Sequence, residues 1–398
     1  MRKCLKGTLL SAVAILSLVS CGDTTDTIKE EIINSTQTIT PYKRIATLTG
    51  TKADIESIAL KISNYVVETD EKAVLNFPSN WVIAGANPKS GEKYDGNADL
   101  IPIPVDTGTE VYKSRVIEFC NGAYATQATN TGQQRGSALP CEVSVHSDGT
   151  NVYVDMLDAD AIFTMFFPNT ADPDGKLKAM AKAVKTEIRT MVLTALEGST
   201  GLSESTKSLG PSFTPTELNS IKDEDIYQVT KYKSSTGETF TKANAKALAE
   251  HIIAKLGTDT ATADNFVTGL STNSLWRTAR PDPIAIPAVF VVEACSPTYA
   301  KMATRLGAEY ITALPCEITT YLDRSDDTNK TISISILNPN FMFETMFKGA
   351  VENAVQNLDL NQTQADKYNT LASTVLSDLN KIVDEAVSTS GLNLSTTP

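Results

Sequence analysis

Val116-Ile117-Glu118-Phe119-Cys120 and, further on, Ala138-Leu139-Pro140-Cys141-Glu142 decide the reading of this chain. Both segments return 175 positions later, as Val291-Val292-Glu293-Ala294-Cys295 and Ala313-Leu314-Pro315-Cys316-Glu317. Between them, at the same offset, Tyr124-Ala125 matches Tyr299-Ala300, Ala128-Thr129 matches Ala303-Thr304, and Gly132 matches Gly307. Each cysteine pair is separated by 21 positions. After five extra residues in the acidic turn from Asp323 to Lys330, Leu157 to Phe167 parallels Leu337 to Phe347, with Phe163/Phe343 and Phe167/Phe347 coinciding. Self-similarity at a fixed offset is the signature of a duplicated domain.

Upstream the two copies diverge but keep a frame: Trp81-x-x-Ala84-x-x-x-Pro88 against Trp276-x-x-Ala279-x-x-x-Pro283. The first copy carries about twenty additional residues near Lys89 to Thr107, which read as a surface loop. Each copy opens with a strand and an amphipathic helix. Thr51-x-x-Asp54 forms a capping-box pattern ahead of Ile55, Ile58, Ile62, Tyr65 and Val66. Thr241 begins a helix with Ala245, Leu248, Ala249, Ile252 and Leu256 inward, ended by Gly257. A strand then runs to the first cysteine, and a short helix follows with Asn121 or Ser296 as N-cap. Ala138 to His146, Ser147-Asp148-Gly149 and Asn151 to Met156 predict a hairpin. A helix with the paired phenylalanines closes each core, and Lys176 to Leu196 and Gln362 to Ala386 predict longer trailing helices. The expected fold is α+β: two tandem copies of a compact domain with an antiparallel-rich sheet covered by helices.

The N-terminus reads as an export signal. Arg2, Lys3 and Lys6 precede an apolar Leu9 to Val19, too short to span a bilayer comfortably. Leu18-Val19-Ser20-Cys21 resembles the lipobox of bacterial lipoproteins. That resemblance implies cleavage before Cys21, lipid (palmitate among the acyl groups) on Cys21, and a cell-envelope address on the periplasmic side, at the outer membrane rather than the inner. Two or three acyl chains anchor stably, where one binds only marginally. The expected organisation is a signal peptide at 1–20, a flexible tether at 21–41, and a first repeat domain with trailing helix at 42–198. A linker at 199–215, a second repeat domain at 216–389 and a disordered tail at 390–398 complete it. Without residues 1–20 the chain has 32 basic and 47 acidic residues, a net charge of −15. That sign, with no basic run, excludes nucleic acid as a main partner.

At the Cys-Asn/Ser-Gly/Pro, Tyr-Ala and Leu-Pro-Cys-Glu positions, the chain resembles the family called domain of unknown function 302. The resemblance covers the two repeat cores and implies a compact α+β domain, often self-associating, with no established reaction. Gly122 stands where a proline is expected after Asn121; the second copy keeps Pro297.

Candidate chemistry centres on Cys120, Cys141, Cys295 and Cys316, which remain after Cys4 leaves and Cys21 is acylated. An even count outside the cytoplasm favours disulfides, each closing a loop of twenty residues and adding about 3 kcal/mol. The competing reading is a thiol-dependent redox or sulfur-handling protein, because Cys120 and Cys295 immediately precede a helix start, where thiolate is favoured. Against it, the pair is not Cys-x-x-Cys and no histidine lies in the motif. A soft-metal or haem site is the third reading, but His146 and His251 are not equivalent, so no duplicated histidine site exists. Trp81, Glu118 and Tyr124, with Trp276, Glu293 and Tyr299, are the candidate pocket residues. No Gly-rich phosphate loop, Gly-x-Ser-x-Gly or calcium loop is present. No catalytic residue, metal or cofactor is assigned. The expected function is non-catalytic binding of a small ligand or an envelope protein, with self-association of the repeat domains as a further partner.

Overall fold

The computed structural model describes residues 38–67, 81–85, 103–104, 111–112, 114–139, 141–168, 170–256, 276, 278, 282–296, 299, 303, 306–313, 316–357 and 362–396. The signal peptide, Cys21, most of the tether, most of the Lys89 to Thr107 loop, Gly257 and Pro297 lie outside the described residues.

Two antiparallel sheets with helices confirm an α+β fold. The first half supplies β1 (Tyr42–Thr49), α1 (Ile55–Val67), β2 (Trp81–Gly85), β3 (Ser114–Asn121), α2 (Gly122–Asn130), β4 (Cys141–Ser147), β5 (Asn151–Leu157), α3 (Ala159–Phe166), α4 (Lys176–Ala195), β6 (Ser203–Glu204) and β7 (Ser208–Leu209). Its sheet runs β2-β3-β4-β5-β1-β6, with β7 also on β1. The second half supplies β8 (Tyr227–Ser234), α5 (Lys242–Leu256), β9 (Ile284–Ile286), β10 (Val289–Ala294), β11 (Cys316–Leu322), β12 (Thr331–Leu337), α6 (Pro339–Glu344), α7 (Ala350–Asn357), α8 (Gln362–Asn369), α9 (Leu371–Thr389) and β13 (Leu394–Thr396). Its sheet runs β9-β10-β11-β12-β8-β13. The same path is traced twice: edge strand, cysteine strand, hairpin, opening strand, short closing strand.

Local chemistry explains the elements. Thr51 and Asp54 make the expected capping box before α1. Asn121 accepts from the backbone N–H groups of Ala123 and Tyr124, satisfying two orphan donors of α2. β12 shows why the sheets are buried on both faces. Ile332, Ile334 and Ile336 point into the helix-covered core, while Ser333 and Ser335 alternate onto the other face and are equally buried. In the first half Val143 and Val145 face the core, and Glu142, Ser144 and His146 face away.

That second face of each sheet is covered by the opposite half. The 3₁₀ turn Gln133–Ala138 lies on the second sheet. Gln133 donates to the carbonyls of Ala288 and Leu322 and accepts from the Arg324 backbone, and Ser137 pairs with Ser335 at 3.1 Å. Gly136 is required there, because a Cβ would stand 2.8 Å from Thr319 and 3.0 Å from Val289. The equivalent turn Ala308–Ala313 lies on the first sheet, where Tyr310 packs edge-on against Tyr42 at 5.7 Å.

Three expectations change. Ser199 to Pro215 is no loose linker: β6 and β7 pair with β1, and Phe213 is buried and bridged to Ile39. The tail expected to be disordered contributes β13, which pairs with β8 through Tyr232 and Thr396. In both halves the chain leaving the long helix returns to cover the sheet edge, which satisfies ladder groups otherwise left open. The trailing helix predicted over Gln362 to Ala386 is two helices, restarting after Thr370, where Asn369 and Thr370 are poor helix formers.

Candidate functional site

A cleft opens in each half between the cysteine end of the sheet and the helices. The first is lined by Trp81, Tyr124, Cys141, Phe163, Phe167 and Val184 among others, and the second by Trp276, Tyr299, Cys316, Phe343, Phe347 and Val375. Each cavity is about 50 Å³. Trp81 reaches the first from edge strand β2, where it lies opposite Asn121. The first turn of α2 delivers Tyr124. Phe163 and Phe167 stack at 4.2 Å, and Phe343 and Phe347 at 4.8 Å.

A buried carboxylate anchors each aromatic pair. The rings of Trp81 and Tyr124 lie 6.0 Å apart, as do those of Trp276 and Tyr299. The Trp81 indole N–H donates to Glu187 over 2.7 Å, and the Tyr124 hydroxyl donates to the same carboxylate over 2.6 Å. In the second half, Tyr299 donates to Asp378 over 2.8 Å. Burial, reinforced by these bonds to carboxylates, pushes both tyrosine hydroxyls well above the usual tyrosine range. They therefore stay neutral donors and fix the ring orientation at the cleft.

Glu187 and Asp378 were missed in the sequence. The signal was present: Met180, Val184, Glu187, Ile188 and Met191 repeat as Leu371, Val375, Asp378, Leu379 and Ile382. In each stripe an acid occupies the same place on a buried helical face. An acid there needs a partner.

The four cysteines are free thiols in this structure, which corrects the expectation of disulfides. Cys141 lies directly opposite Phe119, and Cys316 opposite Ala294. Cys120 and Cys295 are each one position out of register with their partner. Side chains alternate faces along a strand. Cys141 accordingly packs against the helix-side core, while Cys120 packs with Val289, Val291 and Tyr321 of the other half. Burial pushes the Cys295 thiol up to about 12, with Glu118 adding to the effect. Cys141 and Cys316 are raised further by burial, then by Glu142 and Glu317 respectively. Such thiols are protonated at neutral pH and poor nucleophiles. Among the described residues no group of three His, Cys, Asp or Glu side chains is arranged to hold a metal ion.

Cys120 and Cys295 still border the clefts, but Glu118 and Glu293 do not line them. By the same alternation they share a face with Cys120 and Cys295, not with Phe119, and so lie between the two sheets. Glu118 pairs in register with Glu142, and Glu293 with Glu317. His146 is buried and bonded to Asp155 at 2.8 Å; Arg44 binds the same carboxylate at 2.8 Å. Burial alone would raise Asp155, but the bonds from His146 and Arg44 outweigh it and hold the carboxyl below its usual range. The positions equivalent to His146 and Asp155 are Tyr321 and Ser335, so this cluster belongs to the first half alone. Among the described residues no helix is long and apolar enough to cross a membrane.

Residues 105–195 match the family model described as Domain of unknown function DUF302. Among solved structures, the chain is similar to an uncharacterized conserved DUF302 protein from Bacillus stearothermophilus, at 14% identity and a TM-score of 0.25. The match covers 39% of this chain and 97% of that one. No curated protein matches the chain. A DUF302 domain is therefore found at residues 105–195, spanning β3 to α4 and contributing most of the first cleft.

Proposed function

We propose that this protein is a lipid-anchored envelope lipoprotein in which a duplicated DUF302-type domain presents two equivalent clefts to a slender apolar ligand. The observation that carries the reading is the doubled arrangement of Trp, Tyr and carboxylate beside a stacked phenylalanine pair, in the same frame in both halves. Apolar walls with one fixed polar anchor are the usual make-up of a small-molecule site. The cavity holds only the last few carbons of an acyl or aryl group, so deeper entry requires the phenylalanine pairs to part. The protonated thiols favour this over thiol redox chemistry. The anchor rests on Leu18-Val19-Ser20-Cys21 and the positive n-region.

Each cleft contains one of the chain's two tryptophans. A brominated medium-chain fatty acid, whose bromine quenches indole on contact, therefore reports both sites. Saturable quenching is expected in the intact chain and in W81F and W276F, each variant reporting the remaining cleft. Linear quenching no stronger than that of free tryptophan amide would refute the reading. For the anchor, labelled palmitate should enter the wild type and not C21S.

A further inference from the structure

Between the sheets, on the face away from both clefts, Glu118 stands opposite Glu142 and Glu293 opposite Glu317. Their relative exposures are 0%, 5%, 2% and 3%. Opposed side chains of this kind have Cβ atoms about 5 Å apart. The pairs also meet across the halves: Glu317 feels the charges of Glu142 and Glu118, and Cys295 feels that of Glu118. Burial and mutual repulsion both oppose ionising four carboxylates in such a place.

Among the described residues, the charges around them belong to other ion pairs. On the first sheet, Arg44 and His146 are engaged by Asp155, with Tyr153 beside them. The Ala308–Ala313 turn adds Glu309 and Tyr310. The Gln133–Ala138 turn adds Arg135, held by Asp223 at 3.0 Å. The second sheet adds Tyr321, and Lys231, held by Asp323 at 2.8 Å. Among the described residues, Cys120 and Cys295 also face the cluster. Each of these cations is already bonded to an acid, Arg44 and His146 to the same one.

We propose that the two halves are clasped by protons shared among Glu118, Glu142, Glu293 and Glu317, and that losing those protons drives the sheets apart. Burial first, and neighbouring glutamates second, raise Glu142 and Glu317 well above the ordinary carboxylate range; only their own backbone N–H groups pull the other way. The linkage has a definite sign. Groups that hold protons more tightly when folded stabilise fully below their unfolded pKa and lose that effect as pH rises through the folded value. The clasp is thus closed in acid and loosens towards alkaline pH.

Infrared spectroscopy of the intact chain at pH 7 tests this without a variant, since a protonated carboxyl has its own carbonyl stretch. The band is expected in the wild type, to persist in E309Q and to fall by at least half in E118Q/E142Q and in E293Q/E317Q. The thermal midpoint of the wild type should fall from pH 5 to pH 9, and that of each double variant should fall less. Absence of the band at pH 7, or a band and pH profile unchanged in both double variants, would overturn the proposal. Neither readout involves the clefts, so its failure leaves the ligand reading standing.

Discussion

The Tyr227 hydroxyl donates to the backbone carbonyl of Phe166 over 2.6 Å, from the first strand of one half to the closing helix of the other. Tyr42 makes the reciprocal bond to Met346 over 3.2 Å. The surroundings match as well: Arg135 lies over the Phe167 ring at 5.1 Å, and Tyr310 stacks on Phe347 at 4.6 Å. Contacts exchanged in both directions are what a two-fold interface between like subunits requires. Here they occur within one chain. Tyr42→Phe and Tyr227→Phe should each lower stability by about 1 kcal/mol, read as a shift in denaturant midpoint at unchanged slope. A loss confined to one of the two would deny the reciprocity.

Removing the hydroxyl of Tyr124 or Tyr299 leaves a buried carboxylate short of a donor. Y124F and Y299F should each cost about 1–3 kcal/mol. The two sites share no partner, so Y124F/Y299F should show the sum within about 0.5 kcal/mol. Chemical denaturation of the three variants checks both values.

The four thiols, Cys120 buried and the others half-buried, should react slowly with a disulfide reagent at pH 8 and rapidly once the chain is denatured. Cys295, raised to about 12 by burial and Glu118, stays protonated at pH 8. Intact mass without reductant should equal that with reductant. A two-hydrogen deficit per pair would contradict the register that separates Cys120 from Cys141.

Asp155 gives a pH dependence opposite to that of the glutamates. Its folded pKa lies below 3.8 because His146 and Arg44 outweigh burial. The stability it adds is therefore present above the unfolded value and is lost as pH falls through the folded one. D155N, which leaves the buried His146 and the half-buried Arg44 without their acid, should cost about 3–5 kcal/mol at pH 7. The gap between wild type and D155N should narrow below pH 3.8, as measured by urea unfolding at several pH values.

Much of this was legible before any coordinates. The Thr51/Asp54 box, the Asn121 cap, the hairpin at Asp148-Gly149 and the paired phenylalanines all depend on local chemistry, and local chemistry is written in sequence. The face occupied by Glu118 was not legible, because period two makes a one-residue difference decide between the cleft and the other half. Phe119 takes the cleft face with Tyr124, and Glu118 therefore takes the other. Glu187 and Asp378 were hidden for another reason: their partners are 63 and 79 positions away, and only tertiary packing brings them together. The edge strands β6, β7 and β13 look like loops since their composition is polar, and pairing alone orders them.

Xenon settles into small apolar cavities, and both clefts here are lined mainly by apolar side chains. Crystals of the protein pressurised with xenon should show two sites, one beside Tyr124 and Phe163 and one beside Tyr299 and Phe343. Xenon in one cleft alone, or in neither, would contradict two equivalent apolar sites.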